Sequence, residues 1–160
     1  IVAAGALPAV CVALSKHAHV DAVHALCDLM AEICSPRGSP PGSRRAMCEA
    51  LALTGALKAV LAALRAHVVH QGVVAAACKV LLAYQEEFGM AQTLPPQLAK
   101  ALRSGETRHA LETAQRHFIS SEKIQLGAEW AMGVSRSQPT DCTYERGDSL
   151  RRAARPVVTK

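Results

Sequence analysis

The sequence predicts an all-α protein, and three observations support this prediction. The segment GALPAVCVALSKH at Gly5–His17 returns as GALKAVLAALRAH at Gly55–His67, with eight of thirteen aligned positions identical. Half of the 160 residues are apolar but only 3% are aromatic, so the core must be built mainly from Ala, Leu and Val. Ala and Leu favour helix because they lose little side-chain freedom in it. Apolar residues also recur at helical spacing in both copies.

Residues Ile1–Cys34 are predicted to form two helices joined by a polar turn. Leu7, Val10 and Leu14 share one face of the first helix. Pro8 suits its first turn, where the missing N–H costs nothing. The second helix carries Val23, Leu26, Leu29, Met30 and Ile33 at the same spacing.

The stretch SPRGSPPGSRR at Ser35–Arg45 is predicted to be an exposed loop. It contains three prolines and two glycines, which exclude helix and packed strand. Its Ser-Pro dipeptides at Ser35 and Ser39 are candidate sites for proline-directed kinases, and a plain insertion is the favoured alternative.

A short helix over Arg44–Leu53 leads into the second copy, where two further helices carry apolar stripes over 57–64 and 73–84. A weaker third copy is predicted over Pro95–Leu102 and Glu106–Ser120. A shift of 38 residues relates it to the second copy and places Val60 on Leu98.

Residues 122–134 alternate between apolar and polar, which is typical of a strand, but their Ala and Glu content and helical neighbours favour helix. From Ser135 onward the chain is polar, charged and interrupted by proline, and it is predicted to be disordered. The predicted organisation is therefore one helical repeat domain over 1–134 and a basic tail over 135–160.

Repetition of a unit with two or three helices is typical of an α-solenoid, in which each unit buries its apolar face only against its neighbours. The residues also resemble a known family. IVAAGALPAVCVAL at Ile1–Leu14 and LALTGALKAVLAAL at Leu51–Leu64 are similar to the second helix of an armadillo repeat. The resemblance covers about residues 1–120, or two and a half to three repeats.

In the armadillo family the third helix ends in a pattern like Trp-Ala-Leu-x-Asn-Leu. The counterparts here are HALCDL at His24–Leu29, AAACKV at Ala75–Val80 and TAQRHF at Thr113–Phe118. The resemblance implies a right-handed superhelix whose third helices line a groove for an extended peptide or a helix of a partner protein. In nuclear-import adaptors the Trp and Asn of this pattern hold basic peptides, and neither residue is present here, so that mode of recognition is not expected.

The resemblance points to a groove formed by the residues at the Trp and Asn positions of the three third helices. These residues are His24, Asp28, Ala75, Lys79, Thr113 and His117. Asp28 beside Lys79 predicts a groove of mixed charge that favours a ligand of modest charge.

The predicted function is a non-catalytic protein-interaction module or scaffold. The alternative is a structural spacer or assembly segment of a larger multidomain signalling protein, for example one that contains a kinase. The expected location is the cytoplasm, with the nucleus as a second compartment. No membrane span is predicted, because no run of eighteen or more apolar residues is free of charge.

The net charge of +5 is concentrated in the loop and the tail. Residues 1–134 hold twelve Lys and Arg against ten Asp and Glu, whereas the last 26 residues hold six against three. A nucleic-acid-binding protein more often has a basic stripe with aromatic residues for stacking, so nucleic acid is not the expected partner. The six cysteines form no Cys-x-x-Cys pair and are predicted to be reduced thiols, most of them buried in helices.

Neither a cofactor nor a bound metal is predicted. His17, His19, His24, His67 and His70 invite a zinc hypothesis, but paired ligands at the spacing of a structural zinc site are missing. No glycine-rich phosphate loop and no nucleophile with a local base is present, which argues against an enzyme. The RGDS stretch at Arg146–Ser149 resembles an integrin-binding motif, and chance occurrence is the favoured explanation.

Overall fold

A computed structural model describes residues 6–16, 19–34, 43–89 and 94–136. Within these ranges eight helices account for 86% of the residues and no strand occurs, so the predicted all-α class is confirmed. The helices are α1 (Ala6–Lys16), α2 (Val20–Cys34), α3 (Ser43–Leu53), α4 (Ala56–Ala66), α5 (Gln71–Phe88), α6 (Pro96–Leu102), α7 (Gly105–His117) and α8 (Glu122–Arg136).

Two predicted boundaries are wrong by a few residues. Arg44 and Arg45, which the sequence assigns both to the loop Ser35–Arg45 and to the helix Arg44–Leu53, belong to α3 together with Ser43, because they follow the last glycine of the loop and Arg favours helix. Ser135 and Arg136 belong to α8 and not to the tail, since the first proline of the tail lies beyond them. The rest of the loop, 35–42, and the tail from 137 to 160 lie outside the described residues.

Local chemistry sets the ends of several helices. Gly55 separates α3 from α4 with a φ of 77°, a left-handed conformation that favours glycine, and the two helix axes differ by 70°. Pro96 occupies the first turn of α6. Ser104 caps α7, because its Oγ accepts a hydrogen bond from the backbone N–H of Thr107 at 3.2 Å.

The helix contacts form two neighbouring series. In one series α5 lies between α2 and α8 and makes the most extensive helix–helix contacts of the described chain. In the other, α4 lies between α1 and α7. The shorter α3 contacts α4 and α5, and α6 contacts α4, α7 and α8. Each of α6, α7 and α8 therefore contacts a helix of the second copy. On the other side of the second copy, α1 contacts α4 and α2 contacts α5.

This packing corrects the register predicted for the third copy. The 38-residue shift makes α6 the counterpart of α4 and α7 the counterpart of α5, and so predicts contacts between α6 and α4 and between α7 and α5. The first contact is present, but α8 and not α7 packs extensively against α5, and α7 packs against α4. The third copy therefore resumes near Gly105, fifty residues after Gly55. Buried positions fit this shift, because Leu57, Leu61 and Leu64 correspond to the buried Thr107, Leu111 and Ala114. They fit the 38-residue shift as well, since Leu98, Ala99 and Leu102 are also buried, so the contact of α8 with α5 decides the register.

The core is made of small and aliphatic side chains and lets the helices approach closely. A Cβ atom on Gly127 of α8 would lie 2.8 Å from the Cβ of Cys78 on α5. Tyr84 is fully buried and donates its hydroxyl hydrogen to the Cys48 carbonyl oxygen at 2.6 Å. The predicted buried thiols are confirmed for Cys27, Cys34, Cys48 and Cys78, which are free and fully buried.

Candidate functional site

The outer surface of the α2, α5 and α8 series is the candidate site, and we call it the α2–α5–α8 face. On each of the three helices the residues that do not enter the core recur at helical spacing. They are Asp21, His24, Ala25, Asp28 and Glu32 on α2, Gln71, Ala75, Lys79, Leu82 and Glu86 on α5, and Glu122, Leu126, Glu129 and Gly133 on α8.

An ion pair joins two of the three helices on this face. Lys79 Nζ on α5 lies 2.7 Å from Asp28 Oδ1 on α2, and both side chains are between one third and one half exposed. One turn before Asp28 on α2, the ring of His24 lies beside Gly72 of α5. A Cβ atom on Gly72 would be only 3.1 Å from the ring. The absence of a side chain at Gly72 therefore gives the imidazole room to lie against α5.

The ammonium group of Lys79 lowers the pKa of Asp28 through its hydrogen bond, and partial burial of the carboxyl opposes this shift. Charge on Lys79, His24 and Lys123 lowers the pKa further. A carboxyl whose pKa is lower in the folded state stabilises the fold above its unfolded pKa, and this stabilisation is lost as the pH falls through the folded pKa.

We expect Lys79→Met to raise the pKa of Asp28 toward its ordinary value. Because the pair is partly exposed, the free energy of unfolding at neutral pH should fall by only about 0.2–1 kcal/mol. Carboxyl-carbon chemical shifts recorded between pH 2 and 7 measure the pKa, and urea unfolding measures the stability. Lys58→Met removes an exposed lysine of α4 and serves as the control. An unchanged pKa for Asp28 in the Lys79 variant would contradict the pairing.

Four of the six residues predicted to form the site lie together on the α2–α5–α8 face. They are His24 and Asp28 on α2, and Ala75 and Lys79 on α5.

The other two predicted site residues lie elsewhere. Thr113 and His117 belong to α7, which packs in the other series against α4. Their placement beside the other four followed from the 38-residue register, and their role in binding a partner stays a prediction. The helix that continues the α2–α5 series is α8, from which the sequence predicted no site residue.

Charge is distributed unevenly between the two series. Of the ten carboxylates in residues 1–134, seven lie on α2, α5 and α8, and these are Asp21, Asp28, Glu32, Glu86, Glu87, Glu122 and Glu129. The basic residues of the same three helices are Lys79, Lys123 and Arg136. The remaining five helices and their turns are basic, with Lys16, Arg44, Arg45, Lys58, Arg65, Lys100, Arg103, Arg108 and Arg116 against Glu49, Glu106 and Glu112.

The acidic residues of the face differ in how they are paired. Glu86 binds Arg44 at 2.7 Å, and the same guanidinium lies 3.4 Å from Glu87, so this end of α5 already holds an arginine of the chain itself. Glu32, Glu122 and Glu129 are exposed and make no ion pair with any side chain that the structure describes. The face is therefore more acidic than the Asp28–Lys79 pair alone indicates.

A concave region lies between α4 and α7 on the basic side of the molecule. It is an open groove of about 520 Å³ lined by Ala62, Arg65, Ala66, Val68, Glu106, His109, Ala110 and Thr113. Arg65 crosses it, donating a hydrogen bond to Thr107 Oγ1 at 3.1 Å and lying 3.8 Å from Glu106. Thr113 is therefore a groove residue, but of this groove and not of the α2–α5–α8 face.

The part of the chain that the structure describes has neither a metal-ligand cluster nor a single helix that could span a membrane. In that part, no three His, Cys, Asp or Glu side chains come close enough together to share a metal ion. Likewise, none of the described helices has by itself the length and apolar character needed to cross a bilayer. Among them only α3 and α4 taken together, as a bent pair, have that length and composition.

Comparisons with known proteins give no relative. The chain has no significant match to a protein family, to a curated protein sequence or to a solved structure.

Proposed function

We propose that this chain is a non-catalytic protein-interaction module whose α2–α5–α8 face binds a cationic peptide or helix of a partner protein. In this proposal the helices form an armadillo-type, right-handed α-solenoid with three layers, namely α1–α2, α3–α5 and α6–α8. The packing of α5 between α2 and α8, and of α4 between α1 and α7, supports such layering, since solenoid repeats contact only their neighbours.

The charge of the face is the observation that carries the proposal. The face carries six carboxylates and one lysine, Lys79, and this excess of negative charge speeds the approach of a positively charged ligand and disfavours an acidic one. Each exposed ion pair contributes only about 0.2–1 kcal/mol, so affinity requires several such contacts along the face.

The face also offers apolar surface between its charges. Leu126 on α8 is 49% exposed, and Leu82 on α5 is half-buried. A ligand that alternates basic and aliphatic residues could place its aliphatic side chains on these groups while its basic side chains meet the carboxylates. Either an extended peptide or a helix can present such a pattern.

The test uses a fluorescein-labelled peptide that alternates lysine with leucine or alanine, and a second peptide with glutamate in place of lysine. We expect the lysine peptide to bind, as measured by fluorescence anisotropy, and its affinity to fall as salt screens the charges. Glu32→Lys with Glu129→Lys, on either side of α5, should weaken binding roughly tenfold through loss and reversal of two charge contacts.

The matched control is Glu106→Lys with Glu112→Lys, which changes the net charge equally but on α7. It should alter the affinity less than twofold, because these residues lie outside the face. Equal weakening by both double variants would show that only net charge matters and would refute the site. A folded protein that binds neither peptide would favour the structural spacer over the interaction module.

A further inference from the structure

We infer that the basic C-terminal segment of the chain, Leu150–Lys160, docks on the α2–α5–α8 face of the same molecule and competes there with a cationic partner. The inference rests on the face defined for the proposed function and adds a specific occupant. Three observations lead to it: complementary charge, the reach of the chain beyond α8, and an arginine already bound at one end of the face.

The first observation is the charge of the segment. The sequence LRRAARPVVTK contains Arg151, Arg152, Arg155 and Lys160 and no acidic residue. It also carries Leu150 and the pair Val157-Val158, so it combines basic and aliphatic groups as the face requires. Its natural counterparts are the three exposed carboxylates Glu32, Glu122 and Glu129, which have no ion-pair partner among the described side chains.

The second observation is reach. α8 is part of the face, and thirteen residues, 137–149, lie between its last residue and Leu150. A chain of that length spans at most about 45 Å. A fifteen-residue helix is about 22 Å long, and α2 lies two helix spacings of about 8–10 Å from α8. The basic segment can therefore reach every part of the face. Because it is tethered to α8, its effective concentration at the face is on the order of 1 mM.

The third observation is Arg44. Its guanidinium already binds Glu86 at 2.7 Å and lies 3.4 Å from Glu87 at the C-terminal part of α5. An arginine of α3 thus already occupies one end of the acidic series. The exposed carboxylates of α2 and α8 can form the same kind of ion pair with further arginine side chains.

The experiment measures where the segment lies in the full chain. A nitroxide is attached to a Val157→Cys variant that also carries Cys11→Ser and Cys142→Ser. Cys27, Cys34, Cys48 and Cys78 are fully buried and are not expected to react. We expect the nitroxide to broaden the amide signals of Lys79, Leu126 and Glu129, and to spare those of α4 and α7.

Charge reversal tests the cause of this contact. Arg151→Glu, Arg152→Glu and Arg155→Glu together should abolish the broadening and raise the affinity of the lysine peptide by about threefold to tenfold, because a tethered competitor is removed. Glu106→Lys with Glu112→Lys should leave the broadening unchanged. Uniform broadening, none at all, or broadening confined to α4 and α7 would overturn the inference.

Three further outcomes test whether docking occurs within one molecule and separate this inference from the proposed function. If nitroxide-labelled protein broadens the face signals of a separate isotope-labelled copy, the docking is between molecules and the inference is refuted. If the lysine peptide binds the face but the tail does not, the inference fails and the proposed function stands. If the tail docks but the peptide fails to bind even after charge reversal of the tail, the proposed function fails alone.

Discussion

Replacement of Gly127 by leucine should destabilise the protein by about 2–3 kcal/mol. A Cβ atom at this position would lie 2.8 Å from Cys78 Cβ and 3.1 Å from the Cys78 carbonyl oxygen. Such distances require α5 and α8 to separate, which exposes apolar surface and strains the packing. Leucine has a higher helix propensity than glycine by up to about 1 kcal/mol, so the loss of stability arises from packing and not from helix propensity.

The matched control is Gly133→Leu in the same helix. Gly133 is exposed, and a Cβ there would meet no atom within 4 Å, so this variant should gain up to about 1 kcal/mol from helix propensity. Urea unfolding measures both free energies. If the two variants are equally stable, α5 and α8 do not approach each other at Gly127 as closely as described.

The close approach at Gly127 could not be predicted from the sequence. A single glycine in a helical segment has several explanations, and only the contact with Cys78 identifies this one. By contrast, the existence of each helix could be predicted, because helix formation depends on the i, i+3, i+4 pattern of nearby residues. Even the alternating stretch over 122–134 was predicted correctly, since its composition outweighed its period.

The register of the third copy shows where local pattern is insufficient. Leu98 and Leu102 in α6 repeat the four-residue spacing of Val60 and Leu64, and so many apolar helices share this spacing that it does not identify a repeat position. In the register that the helix contacts favour, α7 has Thr107 at the position of Leu57, and a buried threonine does not resemble a leucine in sequence. The hydroxyl oxygen of Thr107 accepts hydrogen bonds from Ser104 and from Arg65.

The same reason limited the prediction of the candidate site. Asp28 and Lys79 could be placed together because the first two copies align with a single one-residue gap, Gly55 following Gly5 by 50 residues and Lys79 following Asp28 by 51. Glu122 and Glu129 could be assigned to the face only after α8, and not α7, was known to lie beside α5. The charge of a surface formed by several helices depends on which helices are adjacent, and this information is not contained in any one segment.

Truncation of Leu81 to alanine should lower the free energy of unfolding by about 2–5 kcal/mol, because the side chain is fully buried and leaves a cavity. Leu81 lies on α5, which packs against both α2 and α8. In a layered solenoid, loss of packing in the central layer weakens both neighbours. We therefore expect amide hydrogen exchange to accelerate in α2 as well as in α8.

Leu111→Ala provides the matched comparison, since Leu111 is also fully buried but lies on α7 in the third layer. A similar loss of stability is expected, but faster exchange should be confined to α6, α7, α8 and the helices of the central layer that touch them. Exchange in α2 should remain close to that of the unmodified protein, because α2 has no extensive contact with the third layer. Equal acceleration of α2 in both variants would contradict nearest-neighbour stacking, and with it the solenoid on which the proposed function depends.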